Sequence, residues 1–414
     1  MSGALLMARG LVWRVGETRI IDGIDLSIDR GELVGVIGPN GAGKTSLLRL
    51  LAGLCRPSEG EVLYDGGDLA AIDARARARR LAFMSQETAQ TFPFTVMEML
   101  LMGRHPHLGR FAQESGEDRE RARRTLSYVG LSGLEDRSFG ELSGGERQLV
   151  LFAKVLVQDT EALVLDEPSS SLDIRHQDRI FSMAQELARE NRGVVTSVHN
   201  LGVAAEYCSR LVLLEKGRVA AEGRPEEVLR SEILDRVYRV RTLVSPSIAT
   251  GSLEVTVIPR RFAGNDSRIH LIGGAGSAVN LTRELYRLGY ALSGGIAHEH
   301  DSDEKLWRNL GVECQAVGAF SRIGDDEVAA AARLAESADV TILCSFPVGP
   351  GNLGNLKLAA LARRLIVLAP GPEDLPRSFF SPEGRILFEE LCRKARVLVY
   401  EEILAELWHA RGDP

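Results

Sequence analysis

The sequence predicts an α/β protein built as two successive domains, residues 1–264 and 265–414. Three observations carry this expectation. The 414 residues are 44% hydrophobic and 26% charged, globular values that exclude a wholly disordered or fibrous chain, and the length suits two or three domains. Short apolar runs bounded by glycine or polar residues alternate with helical patterns, as the buried strands of a largely parallel sheet do. That alternation lapses in a stretch containing Ser, Pro, Gly and Thr at 243–266, then begins afresh.

In the first domain the strand candidates are residues 32–37, 81–85, 162–165, 193–198 and 210–214. Between the second and third, an Arg- and Glu-rich segment with helical spacing predicts an inserted helical subdomain over about 92–155. A strand-like run at 253–258, followed by Pro259, leads to the boundary. In the second domain, strands are expected at 269–272, 290–296, 340–344, 365–368 and 397–400, with helices between them, in a Rossmann-like α/β arrangement.

Charge and cysteine usage narrow the setting. The net charge is −7, with 34 basic against 36 acidic residues up to residue 264 and 16 against 21 beyond it. Neither part has the basic excess of a protein that lives on nucleic-acid phosphates. Five cysteines are scattered without a CxxC pair, which argues for a reducing compartment and against a disulfide framework or a zinc site. The N-terminus lacks the charged and long apolar regions of a signal peptide. No window reaches the ~18 uninterrupted apolar residues of a membrane span. A soluble, cytoplasmic chain is expected, reaching any membrane through a partner.

The chemistry concentrates in one motif. Gly38, Pro39, Asn40, Gly41, Ala42, Gly43, Lys44 and Thr45 fit G-x-x-x-x-G-K-[ST], after the strand at 32–37 and before a helix at 45–52 that carries Ser46, Leu47, Leu48 and Leu51. Glycines let the backbone wrap phosphate oxygens, so that successive N–H groups and the helix N-terminus point at negative charge. Lys44 is placed to reach the terminal phosphates of a nucleotide and Thr45 to hold Mg²⁺. The run Leu163-Val164-Leu165-Asp166-Glu167 ends a strand in two carboxylates. Asp166 suits support of Mg²⁺, and Glu167 suits the base that polarises an attacking water.

With these residues in view, the chain resembles the ABC-type ATPases. Leu142-Ser143-Gly144-Gly145-Glu146, 20 residues before Asp166, is similar to their signature motif. Gln86 matches their Q-loop, residues 169–173 their D-loop, and His199 their switch histidine. The resemblance covers about residues 1–260 and implies a RecA-like core with a helical subdomain. It implies ATP and Mg²⁺ as ligands, with Thr45, Gln86 and Asp166 around the metal and Glu167, His199 and Gln86 in catalysis. It also implies a head-to-tail homodimer, in which Ser143, Gly144 and Gly145 of one subunit face the nucleotide on the other's phosphate loop. One position departs from the family: Val15 stands where an aromatic residue usually stacks on adenine, with Trp13 two residues earlier on the same strand face by alternation.

The segment at 92–111 contains Gly103-Arg104-His105-Pro106-His107. It resembles the ATPase subunits of importers for ferric siderophores, haem and cobalamin. That resemblance implies a permease partner, a periplasmic or extracellular substrate-binding protein acting indirectly, and a peripheral position on the inner face of the membrane. Met97, Met99, Leu100, Leu101 and Met102 suit a groove for a permease helix, because thioethers adapt to a partner. Ordinary core positions are the competing reading. His105 and His107 lack a third metal ligand nearby. The rival function is a soluble, non-transport ABC ATPase whose C-terminal domain provides the output.

The second domain opens with Gly273-Gly274-Ala275-Gly276-Ser277 between strand and helix, and Gly349-Pro350-Gly351-Asn352 precedes a further helix. Both turns present backbone N–H groups suited to an anion, although Val279 breaks the full dinucleotide fingerprint. His298, Glu299, His300, Asp301 and Asp303 cluster at a strand end, where a solvated polar loop competes with a metal site. A regulatory module that binds a nucleotide or phosphate-bearing corrinoid is the expectation, with a ligand-free dimerisation domain as the alternative.

Overall fold

The fold follows from where the apolar runs can be buried. In the computed structural model, the described residues are 4–85, 94–109, 112–169, 172–259, 267–369 and 378–409. They separate into two units, Met1–Val257 and Ile258–Pro414. The boundary expected at 264 falls in 260–266, outside the described residues.

The first unit is built on a six-stranded sheet. Its order is Arg218–Gly223, Arg210–Glu215, Leu33–Ile37, Gly193–Ser197, Ala162–Leu165, Leu81–Met84. The last five are mutually parallel, and Arg218–Gly223 returns antiparallel at the edge. Leu33–Ile37, Gly193–Ser197 and Ala162–Leu165 are buried along their whole length. A sheet covered on both faces requires such near-continuous apolar strands. One cover is an antiparallel sheet ordered Thr18–Ile28, Leu6–Val15, Glu59–Tyr64, Gly67–Asp68. Its Leu6, Leu11, Ile21 and Ile24 pack with Val34, Val36, Leu47 and Leu51 in one apolar cluster.

The other face carries the helical subdomain, with helices Val96–Leu101, Gly116–Tyr128 and Gly144–Val157. Each begins with a reciprocal cap in which a hydroxyl and the carboxylate three residues later satisfy two orphan N–H groups. The pairs are Thr95 with Glu98, Ser115 with Asp118, and Ser143 with Glu146. These caps are legible in the sequence spacing. The groove reading is corrected here: Met97, Leu100 and Leu101 are buried in the apolar cluster that also contains Phe139, Val150 and Phe152. Met99 and Met102 remain half-buried.

The second unit is a six-stranded parallel sheet. Its order is Glu313–Val317, Ala291–His298, Arg268–Ile272, Val340–Leu343, Leu365–Leu368, Arg396–Leu398. Numbered along the chain, that order is 3-2-1-4-5-6. Helices cover both faces. Leu281, Leu285, Trp307, Ile403 and Leu407 share one apolar cluster, while Ala331, Ala335, Leu356 and Leu391 share the other. The strand Glu313–Val317 was not expected from sequence. It lies at the sheet edge, where only Val317 of its five residues is buried, so it lacks the apolar run that marks its neighbours.

Replacing Leu101 by Asp should therefore unfold the helical subdomain rather than unseat a partner. A buried Leu→Ala change costs about 2–5 kcal/mol, and an unpaired buried charge adds to it. The thermal midpoint should drop by about 10 °C or more. A well-folded Leu101→Asp protein that has lost only its permease would restore the groove reading.

Candidate nucleotide site

Parallel pairing brings the ends of Leu33–Ile37, Gly193–Ser197 and Ala162–Leu165 to one edge of the sheet. The phosphate loop leaves the first of these strands and enters helix Lys44–Leu51. Two glycines make the turn possible. Gly38 has φ +145°, and a Cβ there would lie 2.4 Å from the Leu214 carbonyl oxygen. Gly43, at φ +102° before the helix, would bring a Cβ to 2.9 Å from Ile21 Cδ1. Ala42 is buried and its N–H donates to the Pro39 carbonyl. Pro39 and Ala42 therefore shape the turn from within. A cavity of about 270 Å³ is lined by Ile20, Asn40, Gly41, Gly43, Lys44, Thr45, Ser46 and Glu167.

Lys44 Nζ donates to the carbonyls of Gly38 (2.8 Å) and Pro39 (3.3 Å). Burial lowers its pKa, while Glu167 and Asp166 oppose that shift. Asp166 is only 1% exposed. Its Oδ1 accepts from Thr45 Oγ1 at 3.2 Å and from Ser197 Oγ at 2.9 Å. Burial raises the Asp166 pKa, against the lowering effect of those two bonds. Glu167, at φ +49°, donates its N–H to Ser197 Oγ at 2.7 Å, and its Oε1 pairs with His199 Nε2. The arrangement joins an anion cradle to a carboxylate beside a hydroxyl, which is a donor set of the hard-oxygen kind that suits Mg²⁺, and sets a second carboxylate at the cavity wall.

Ser197 was missed from sequence. The available signal was the polar pair Thr196-Ser197 closing a buried apolar strand. Gln86 lies outside the described residues. Ser143, Gly144 and Gly145 start helix Gly144–Val157, and Ser143 Oγ accepts the Glu146 N–H at 3.2 Å. None of them lines the 270 Å³ cavity. Asp173 caps helix Ile174–Arg189 and binds His176 through both its N–H and its ring. The shared-face expectation for Trp13 and Val15 is overturned. A register irregularity between Trp13 and Arg14 breaks the alternation, so Trp13 packs against the apolar core while Val15 is 55% exposed. His107 Nε2 bonds the Gln158 carbonyl at 2.8 Å, and His105 is exposed.

In the second unit the chain's own side chains fill both glycine turns. Asp301 Oδ2 accepts the Ala275 N–H at 2.8 Å, and Asp303 Oδ1 accepts that of Ala278 at 3.0 Å. Phe346 lies against Gly274. At the other turn, Asn352 Oδ1 accepts the Gly349 N–H at 2.8 Å. His298 bonds the Ser321 carbonyl. Asp303 is fully buried, and burial, with Asp301 beside it, pushes its pKa up to about 6.

The ABC transporter family matches residues 21–170, and the MJ0874 family matches residues 292–404. The chain is 39% identical over 351 residues to the cobalamin import ATP-binding protein BtuD of Halobacterium salinarum, covering 84% of this chain and 88% of that one. The chain belongs to the ABC transporter ATP-binding proteins. It is a transport-coupled ATPase of the BtuD and HmuV import type. The hemin import ATP-binding protein HmuV of Bradyrhizobium diazoefficiens is 41% identical over 249 residues, covering 58% of this chain and 91% of that one. Among solved structures, a metal-chelate-type ABC transporter in an inward-facing conformation matches with TM-score 0.55 at 27% identity, covering 62% of this chain and 98% of that one. An ADP-bound ABC transporter cassette matches with TM-score 0.52 at 27% identity, covering 57% and 98%. The BtuD match is longer than the first unit's 257 residues, so it includes part of the second unit.

The raised Asp303 pKa fixes the sign of a pH effect. The folded chain holds this proton more tightly than the unfolded chain, so the contribution of Asp303 to stability falls as pH rises from about 4 to about 6. An Asp303→Asn variant should gain thermal stability relative to the parent across that window. A constant difference between the two melting curves from pH 4 to 7 would show that Asp303 titrates normally.

Proposed function

We propose that this ABC protein energises a membrane importer whose cargo is cobalamin or a related corrinoid. The observation that carries the cargo is the extent of the BtuD likeness, which runs into the second unit, whereas the HmuV likeness covers only 58% of the chain. Haem and ferric siderophores are the rival cargoes. The HmuV relatives, hemin import proteins at about 40% identity, support haem for the cassette alone.

The site supports a division of labour. Gly38 to Ser46 would cradle the ATP phosphates, with Lys44 turning from the loop carbonyls to the terminal phosphate. Thr45 and Asp166, already hydrogen-bonded, would hold Mg²⁺ together with Gln86. The metal ion would neutralise charge developing on the transferred phosphoryl group. Glu167 would polarise water, and His199, paired with it, would orient the carboxylate. Ser143, Gly144 and Gly145 begin a second helix away from the cavity lining, which supports their use on a partner's nucleotide in a homodimer. No described helix is long and apolar enough to cross a membrane. The reading therefore includes permease subunits that hold the cassette at the inner membrane face, and an external substrate-binding protein acting through them. The order 3-2-1-4-5-6 supports a Rossmann-like accessory domain for the second unit. Its filled glycine turns favour a regulatory or assembly role over phosphate binding there.

Two experiments test this reading. Lys44→Ala should weaken ATP binding at least tenfold. Glu167→Gln should bind ATP, accumulate as an ATP-dependent dimer in light scattering, and hydrolyse about 10²–10⁴-fold more slowly. Full turnover by Glu167→Gln would remove the assigned base. In vesicles carrying the permease, ATP should drive uptake of cobalamin; uptake of hemin but not of corrinoids would overturn the cargo.

A further inference from the structure

Glu167 poses a backbone problem that the sheet does not solve. The strand Ala162–Leu165 ends two residues earlier, and the Asp166 N–H is the last to reach the neighbouring edge strand, donating to the Met84 carbonyl at 2.9 Å. The chain then turns into the left-handed region at Glu167, φ +49°, which costs a non-glycine residue unless its surroundings hold it there. The Glu167 N–H goes to Ser197 Oγ at 2.7 Å, on the strand at the other side. A hydroxyl has one proton to give and lone pairs to accept with. Ser197 accepts from Glu167, so its own proton is free for Asp166 Oδ1, at 2.9 Å. Parallel register puts Leu165 opposite Thr196, which brings the next pair, Asp166 and Ser197, side by side. Ser197 is buried, so water does not substitute readily for either bond.

We propose that Ser197 is a positioning residue of the ATPase, a single hydroxyl that fixes the backbone of Glu167 and the carboxylate of Asp166 in one relay. This rests on the reading of Glu167 as base and Asp166 as metal support. The relay runs Glu167 N–H to Ser197 Oγ–H to Asp166 Oδ1, the oxygen that Thr45 Oγ1 also reaches. Any shift of the carboxylate beside Thr45 is thereby transmitted to the backbone that carries the base.

The test compares Ser197→Ala and Ser197→Thr with the parent in the full chain, alongside Glu167→Gln. Ser197→Ala should lower kcat about 10–100-fold, the range for losing a hydrogen bond to a charged group, with the KM for ATP within about twofold. The Mg²⁺ concentration for half-maximal activity should rise. Ser197→Thr, which keeps the hydroxyl, should recover most of kcat. Parental kcat in Ser197→Ala would overturn the proposal. So would equal losses of kcat, KM and melting temperature in both variants, because they would mark a packing role. If Glu167→Gln itself retains full turnover, the reading of the base has failed. If Glu167→Gln is inactive while Ser197→Ala is unaffected, only the relay has failed.

Discussion

Parallel pairing of three adjacent strands is the constraint on which the rest of the nucleotide site depends. Thr45 of the phosphate loop lies 121 residues before Asp166, and His199 lies 32 residues beyond Glu167. They meet because strands that run the same way in one sheet must end at the same edge, where open α/β sheets place their ligands. The strand from Leu33 to Ile37 sits beside Gly193–Ser197, which sits beside Ala162–Leu165. Burial of all three along their whole length anchors them in the core of the unit. Geometry at the site is therefore set by core packing some distance from the chemistry.

That geometry holds opposite charges in a poised state. Lys44 is buried against backbone carbonyls, and Asp166 is buried against hydroxyls. Burial disfavours the charged form of each, and it lowers the one pKa and raises the other. An incoming polyphosphate and its cation would relieve both costs at once, because anion meets Lys44 and cation meets Asp166. On the proposed reading, the burial of these two groups would be a form of preorganisation that concentrates electrostatic effect where charge develops.

Much of this was legible in the sequence, for identifiable reasons. The glycine loop and the Asp166-Glu167 pair are local patterns, and local patterns survive without knowledge of the fold. Long-range pairings did not show. Ser197 acts through a residue 31 positions away, and its only local trace was a polar end on an apolar strand. Trp13 was assigned a face by alternation, and a bulge cancelled the alternation. Leu100 and Leu101 look alike as groove or core, because helical periodicity states which side is apolar but not what covers it. The edge strand Glu313–Val317 escaped because exposure at an edge permits polar residues that a central strand excludes.

The second unit shows how far a glycine-rich turn can be trusted. Glycines after a strand create a concave set of N–H groups, and such a set demands an acceptor whatever its source. Here Asp301 and Asp303, at the end of the neighbouring strand, supply carboxylates to Ala275 and Ala278, and Asn352 supplies its amide oxygen to Gly349. The turn has the same shape as a phosphate cradle because it solves the same problem, that of satisfying clustered donors beside a helix start. A phosphate would have to displace two carboxylates, one of them fully buried, and meet their charge on entry. The same chemistry that identifies Gly38–Thr45 as a nucleotide loop therefore separates it from its look-alike: Lys44 gives the first loop a cation, and the second is closed by anions. What decides between ligand site and structural turn is the charge that the rest of the fold brings to the amides.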